Sequence, residues 1–450
     1  LNIVYESEKT GITLRILIFL QILLLGISQA QNLYFPPLTG SEWETVSPAS
    51  LGWDLTKTDS LYAFLSSTNT KAFLVLKDGK IAIEKYFGSF TKDSVWYWAS
   101  AGKSLTAVLV GIAKQEGKIN LDDSTSKYLS QGWSSLSPSQ EGRIKLIHQL
   151  TMTTGLDDGV SDPYCTLPAC LIYKAEPGTR WAYHNAPYTL LDNVIESATG
   201  LNMNQFFQQK LRPSTGINGL YLKNGYNNVF YSNARSMARF GLLMLNKGKW
   251  NSTSVVTDTT YYREMVNTSQ NLNLSYGYLW WLNGKESFML PQTQFVFPGA
   301  FAPDAPADMI AAIGKNGQLV NVVPGDRLVM IRMGDAPGSG VEVPTFYNND
   351  IWKRLKVVVN PATSIKENSF SKKEEVGVFP VPTGSTLFIK GLGESKEPAE
   401  VNIYSVTGEK VLRSFYNGSL DISSLSDGVW IGVIVTEKGT GTFKFVKSSQ

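Results

Sequence analysis

Ser100 and Lys103 stand three residues apart in Trp96-Tyr97-Trp98-Ala99-Ser100-Ala101-Gly102-Lys103-Ser104-Leu105. On a helix that spacing puts both side chains on one face, one turn apart. An amine held there can take the hydroxyl proton and make the serine a nucleophile. A helix start also offers free backbone N–H groups and a positive partial charge. Both favour the oxyanion that forms when a serine attacks a carbonyl. By itself the S-x-x-K pattern is common, and a Ser N-cap on a core helix is the simpler account. Gly102-Lys103-Ser104 also looks like the tail of a phosphate-binding loop. That loop needs Gly at position 97, where Tyr stands.

The elements that must position this pair begin and end in strands. Ala72–Leu76 and Ile81–Tyr86 read as a hairpin across Lys77-Asp78-Gly79-Lys80, because Asp-Gly tolerates positive φ. Leu105–Lys114 is apolar on nearly all sides, which places a helix inside a sizeable core. From 140 to 266 the pattern is mostly helical, over Ile144–Met152, Ala186–Ala198, Asn202–Leu211, Ala234–Leu245 and Val255–Val266. Strand periodicity returns over Tyr276–Leu282, Met309–Ile313, Leu319–Val323 and Arg327–Met333, and Thr345–Val358 reads as a closing helix. This order predicts an α+β domain whose sheet is assembled from both ends of the sequence. Residues 366–376 turn polar and charged and read as a linker. Beyond it, Ser385–Lys390, Glu400–Ser405, Lys410–Phe415, Val429–Thr436 and Thr442–Val446 alternate as strands of a small all-β module.

The composition narrows the chemistry. The chain has 450 residues, 43% hydrophobic and 18% charged, a globular balance. Forty-one basic against 38 acidic side chains leave a net charge of +3. No broad basic field for nucleic acid follows from that. Two His and two Cys could build at most one metal site, and their spacing does not resemble one, so neither metal nor cofactor is expected. Lys9 and Arg15 precede the apolar run Ile16–Ile27, and Ser28-Gln29-Ala30 follows. Residues 1–30 therefore read as a secretory signal cut after Ala30. A membrane anchor would need about 20 apolar residues, more than the run supplies, and no other stretch approaches that length. In an oxidising compartment Cys165 and Cys170 read as a local disulfide, with two free thiols as the alternative.

S-x-x-K is followed by Tyr183-His184-Asn185 and then by Gly314-Lys315-Asn316-Gly317-Gln318. This ordered set of S-x-x-K, Y-x-N and K-x-G resembles the serine β-lactamase and penicillin-binding-protein superfamily. His148-Gln149-Leu150-Thr151-Met152-Thr153-Thr154-Gly155-Leu156 is similar to that family's H-L-L-T-M-T-S-G-L, and Tyr276-Gly277-Tyr278-Leu279-Trp280-Trp281 to its Y-G-Y-x-W-W. The likeness is greatest to the class C branch that includes esterases and nylon-oligomer hydrolases. The resemblance implies a β-lactamase/transpeptidase-like fold over residues 31–365, an antiparallel sheet flanked by helices with a helical subdomain. It makes Ser100 the nucleophile, with Lys103 beside it and Tyr183 completing a proton relay. An unperturbed Tyr titrates near ~10, so Tyr183 needs cations nearby, and Lys103 and Lys315 are the candidates. Asn185 would orient Lys103 or a substrate amide. Lys315, Asn316 and Gly317 form the third motif, and the N–H groups of Ser100 and Gln318 would make the oxyanion hole.

The chain departs from the family at Asn316, where β-lactam-recognising enzymes carry a Thr or Ser hydroxyl that helps bind the antibiotic's carboxylate. No acidic loop of the class A kind is found, which leaves deacylation to the Tyr–Lys pair. A Ser-His-Asp triad is disfavoured, because no G-x-S-x-G elbow occurs. His148 and His184 read as structural, and Asp157 and Asp158 as loop caps. Trp96 and Trp98 share one face of an extended segment and either wall a pocket or pack in the core.

The tail has its own resemblance. Val378–Thr383, Val401–Val411, Leu420–Trp430 and Lys444–Lys447 are similar to the C-terminal sorting domain of type IX secretion, with Val381 where Asn usually stands between two prolines. Residues 377–450 would then be a β-sandwich address read by the secretion machinery, and a carbohydrate-binding sandwich is the alternative. The expected protein is exported through the periplasm to the cell surface or medium. It forms an acyl-enzyme at Ser100 and cleaves a small ester, amide or peptide-like substrate. A sensor that is acylated without turning over is the competing reading. A third, a carbohydrate-binding surface protein, would leave Ser100 unused.

Overall fold

A six-stranded antiparallel sheet runs in the order Lys80–Tyr86, Thr70–Lys77, Leu328–Gly334, Gln318–Val323, Ile310–Gly314, Trp281–Leu282. It is seen in a computed structural model that describes residues 33–338, 343–360, 377–390, 399–405, 410–436 and 439–448. The signal at 1–30 and the linker at 366–376 lie outside the described residues. The early hairpin therefore pairs with the last strand of the domain, Val75 opposite Met330, and the two ends of the sequence close one sheet as expected.

The three inner strands nearest the site are buried on both faces, which explains why they are largely apolar, with Gln318, Asn321 and Arg332 the polar residues buried among them. Helix Ala234–Leu245 lies on one face. It can do so because Gly241 has no side chain: a Cβ there would stand 2.4 Å from Val329. Helix Thr345–Val359 lies on the other, where the buried Asn321 and Asn348 satisfy each other's amides. The helix that follows Ser100, Gly102–Gln115, is buried from Gly102 to Ala113. It is enclosed by strand Ile310–Gly314 and by helices Leu191–Thr199, Met203–Lys210 and Thr259–Met265. Among the described residues no helix is long and apolar enough to cross a membrane.

Several elements differ from expectation. The region read as mostly helical also holds a hairpin, Gly219–Asn224 with Asn227–Asn233, and Val95–Tyr97 adds to its edge. The helix expected at Ile144–Met152 is confined to Leu146–Leu150. Ala186–Ala198 is two short helices, Asn185–Thr189 and Leu191–Thr199, meeting at Leu190. Val255–Val266 is helical only over Thr259–Met265, because the Asp258 carboxylate accepts from the Tyr261 N–H and sets the start. Tyr276–Leu282 is a tight turn whose last two residues alone join the sheet. Leu279 has φ 58°, and the Gly277 N–H donates to the Trp280 carbonyl at 2.9 Å.

The tail forms two antiparallel sheets over an apolar core of its own. One contains Gly377–Phe379, Thr386–Lys390 and Leu420–Asp421. The other runs Lys410–Tyr416, Ala399–Ser405, Gly428–Thr436, Gly439–Lys447. Leu387, Val401, Ile403, Leu420, Ile422, Ile434 and Phe445 fill the space between.

Candidate active site

Ser100 sits in a single turn, Ala99–Ala101, that runs directly into helix Gly102–Gln115. Trp98 anchors this turn. It is fully buried, its N–H donates to the Phe230 carbonyl at 2.8 Å, and its indole donates to the Ser232 hydroxyl at 2.8 Å. Between that anchor and Ser100, Ala99 is held at φ 46°, a region L-residues rarely adopt. Strain of this kind persists only where surrounding packing enforces it.

The Lys103 ammonium donates to Ser100 Oγ at 3.2 Å and to Asn185 Oδ1 at 2.8 Å. It is 4% exposed and lies 5.3 Å from the ring centre of Tyr183 and 4.1 Å from that of Tyr188. Tyr183 is buried in an aromatic nest. It stacks on Trp281 at 5.9 Å and meets Tyr276 edge to face at 6.2 Å. The first two motifs thus converge on one cation.

The segments that resembled family motifs are the ones that hold this arrangement. The Met152 carbonyl accepts from the Ala182 N–H at 2.9 Å, and the Thr153 carbonyl from the Gly178 N–H at 2.8 Å. Gly155, at φ 77°, admits the returning chain, since a Cβ there would stand 2.1 Å from the Ala175 carbonyl oxygen. The segment that delivers Tyr183 is therefore stitched to the Thr151–Gly155 turn. Ser104 Oγ donates to the Leu279 carbonyl at 2.6 Å, tying the site helix to the Tyr276–Trp281 turn.

The third motif forms the turn between two sheet strands. Lys315 is exposed, and the Asn316 amide donates to the Tyr97 hydroxyl at 2.7 Å. Gln318 is fully buried, pairs with Gly314 across the hairpin, and spends its side chain on both backbone groups of Gly334. The glycine that abuts Ser100 is Gly314. A Cβ on it would lie 2.4 Å from the Trp98 carbonyl oxygen, 2.8 Å from the Ala101 nitrogen and 3.1 Å from the Ser100 nitrogen. Gly317 faces the other way, toward Arg332 and Tyr347. Sequence reading singled out Gly317 and passed over Gly314. A Gly ending an apolar strand run was the available signal for a close backbone approach.

The histidines stay outside this chemistry. His184 is 2% exposed, and burial pushes its pKa down to about 4, so it is neutral near pH 7. His148 is lowered to about 4 by burial, and its Nδ1 accepts from the Lys145 N–H at 3.1 Å. Asp157 caps its loop through the Gly159 N–H and pairs with Lys174, while Asp158 pairs with Arg180 at 2.7 Å. Trp96 is half-buried and Trp98 is core. Among the described residues no three His, Cys, Asp or Glu side chains gather as a metal site. A cleft of about 420 Å³ opens between Asp158, Lys174, Arg180 and the Gln292–Gln294 loop. It adjoins the site segment, since the Gln294 amide donates to the Trp181 carbonyl at 3.0 Å.

Cys165 and Cys170 form a disulfide. The segment just before the loop it closes is tied to the site helix that begins at Asn185, because the Ala186 N–H donates to the Pro163 carbonyl at 3.1 Å. Peptide mapping of the exported protein should recover the two cysteines linked. Replacing both by Ser should cost about 2 kcal/mol of stability, the worth of a short closed loop. Recovery of both as free thiols without reduction would refute this.

Residues 67–344 match the beta-lactamase family model, and residues 377–448 match the secretion system C-terminal sorting domain. An uncharacterized protein of Alkalihalophilus pseudofirmus is 23% identical over 304 residues, 59% of this chain and 83% of its own length. Two solved structures share the fold. A putative 6-aminohexanoate-dimer hydrolase from Bacillus anthracis aligns with a TM-score of 0.55 at 16% identity, covering 73% of this chain and 90% of that one. A putative beta-lactamase from Bacteroides dorei aligns at 0.54 and 19% identity, covering 68% and 99%.

Proposed function

The chain belongs to the beta-lactamase family, and on that premise we propose that it is an exported serine hydrolase that cleaves an ester or amide through an acyl-enzyme at Ser100. The observation that carries this reading is the Lys103 ammonium bonded to both Ser100 Oγ and Asn185 Oδ1, with Tyr183 against it. Ser100 Oγ attacks the substrate carbonyl, and its proton passes to the Lys103–Tyr183 pair, which holds one vacant basic site, either a Lys103 amine beside a Tyr183 phenol or a Tyr183 phenolate beside a Lys103 ammonium. The same pair returns a proton to the departing alcohol or amine. Water then attacks the acyl carbon, gives its proton back to the pair, and Ser100 leaves with it. The oxyanion is met by the Ser100 N–H. Its second donor is the Gln318 N–H, on the strand paired with Gly314, the glycine whose backbone packs against the Ser100 amide.

Esters are favoured over β-lactams. The Asn316 amide is already engaged by Tyr97, and no hydroxyl stands in its place to receive a β-lactam carboxylate. A short-chain p-nitrophenyl ester should be cleaved about 10- to 100-fold faster in kcat/KM than nitrocefin, the worth of one hydrogen bond to a charged group. Intact-mass analysis after brief mixing should show one added acyl group, and none on Ser100→Ala. Stable acylation by a β-lactam with no turnover of any ester or amide would favour the sensor reading. Fast nitrocefin hydrolysis without esterase activity would reverse the preference.

The sorting-domain match supports export to the cell surface or medium. We read residues 1–30 as the signal for the first membrane and 377–450 as the address for the second.

A further inference from the structure

Arg332 is fully buried at the end of strand Leu328–Gly334, and among the described residues no carboxylate lies within ion-pair distance of it. The nearest acid in sequence, Asp335, gives its carboxylate to Lys71 at 3.0 Å. Burial lowers the Arg332 pKa, the direction expected when a cation loses water. A buried charge without a counter-ion is costly unless hydrogen bonds satisfy it. Here they do. Nη1 donates to the carbonyls of Asn316 and of Gly317, the latter at 3.1 Å. Nη2 donates to the Thr68 carbonyl at 2.8 Å and the Asp335 carbonyl at 3.0 Å. Nε donates to the Thr70 hydroxyl at 3.1 Å, and the guanidinium lies 5.1 Å from the Tyr347 ring centre.

Two of these five acceptors belong to the turn beside the nucleophile. Within that turn Asn316 is held at φ 63° and Gly317 at φ 76°. A would-be Cβ on Gly317 meets Arg332 Nη1 at 2.8 Å, so the turn rests directly on the guanidinium. Its other end is Gly314, packed against the Ser100 amide. A planar fork with five donors can hold several carbonyls in one geometry, which an ammonium cannot.

We infer that Arg332 is a positioning residue, which clamps the Lys315–Gly317 turn and so holds in place the Gly314–Gln318 hairpin that offers the second N–H donor to the oxyanion formed at Ser100. It touches no substrate and acts through the turn. The inference rests on the acyl-serine reading above. A turn displaced by about an ångström weakens transition-state binding far more than substrate binding, and losses of about 100-fold follow.

The test compares Arg332→Met and Arg332→Lys with Leu355→Ala, a control that opens a cavity in helix Thr345–Val359 where Leu355 is fully buried. With p-nitrophenyl acetate, Arg332→Met should lose about 100-fold in kcat with KM within about 3-fold. Phenylboronic acid, which mimics the tetrahedral adduct, should lose affinity in step. Amide exchange across 314–318 should quicken. Arg332→Lys should fall between, because it keeps the charge without the fork. Leu355→Ala should lower the melting temperature and leave kcat and boronate affinity unchanged. Full kcat in either Arg332 variant, or an equal loss in Leu355→Ala, would overturn the inference. A wild-type protein that cleaves nothing would instead sink the acyl-serine reading. Exchange across 314–318 would then decide the clamp, and a wild-type rate in Arg332→Lys would refute it.

Discussion

Ser100→Ala should lose ester and amide turnover by about 10⁴-fold or more, the scale seen when a nucleophile is removed from a machinery that acts as a unit. The loss should fall on kcat, because the groups that bind substrate remain. The fold should survive. Ser100 is half-buried, and the hydroxyl it gives up is bonded by Lys103, whose ammonium keeps Asn185 as a partner at 2.8 Å. Trp98 still holds the turn through Phe230 and Ser232. Circular dichroism and a thermal melt within a few degrees of wild type would confirm an intact protein. A variant that keeps near-wild-type esterase activity would exclude the acyl-serine mechanism.

Removal of residues 377–450 should abolish release from the cell and leave catalysis intact. The tail matches a secretion sorting domain from 377 to 448, and its apolar core is formed by its own strands. All three site motifs, and the clamp at Arg332, precede residue 335. In the native cell the truncated enzyme should accumulate in the periplasm, with none at the surface or in the medium. The purified protein lacking residues 377–450 should match the full chain in kcat/KM. Loss of activity in the purified truncated chain would mean that the tail helps build the site. Normal export without the tail would mean that it binds something and is not an address.

The sequence alone determined what is local. Three-residue spacing within one helical turn brought Ser100 and Lys103 together, and the helix after them was legible because it is apolar on nearly all sides. The Asp-Gly hairpin and the alternating tail strands were legible for the same reason, since a turn or a strand period is written within a few residues. Tyr183 and Asn185 came from ordered motifs, and the structure brings both to Lys103. Tertiary structure alone decided what depends on register between distant segments. The hairpin at 219–233 was missed because its pleat is half exposed and lies among helices. Which glycine of the third motif faces Ser100 was not readable from motif spacing, and only the position of Gly314 at the end of an apolar strand run hinted at it. The contact of Gly314 with Ser100 spans more than two hundred residues and exists because the first and last strands close one sheet. Arg332 carried no signal at all. An arginine in an apolar strand reads as an edge or a solvent-facing residue, and only the folded chain gathers the carbonyls of Asn316, Gly317, Thr68 and Asp335 and the hydroxyl of Thr70 that make its burial tolerable.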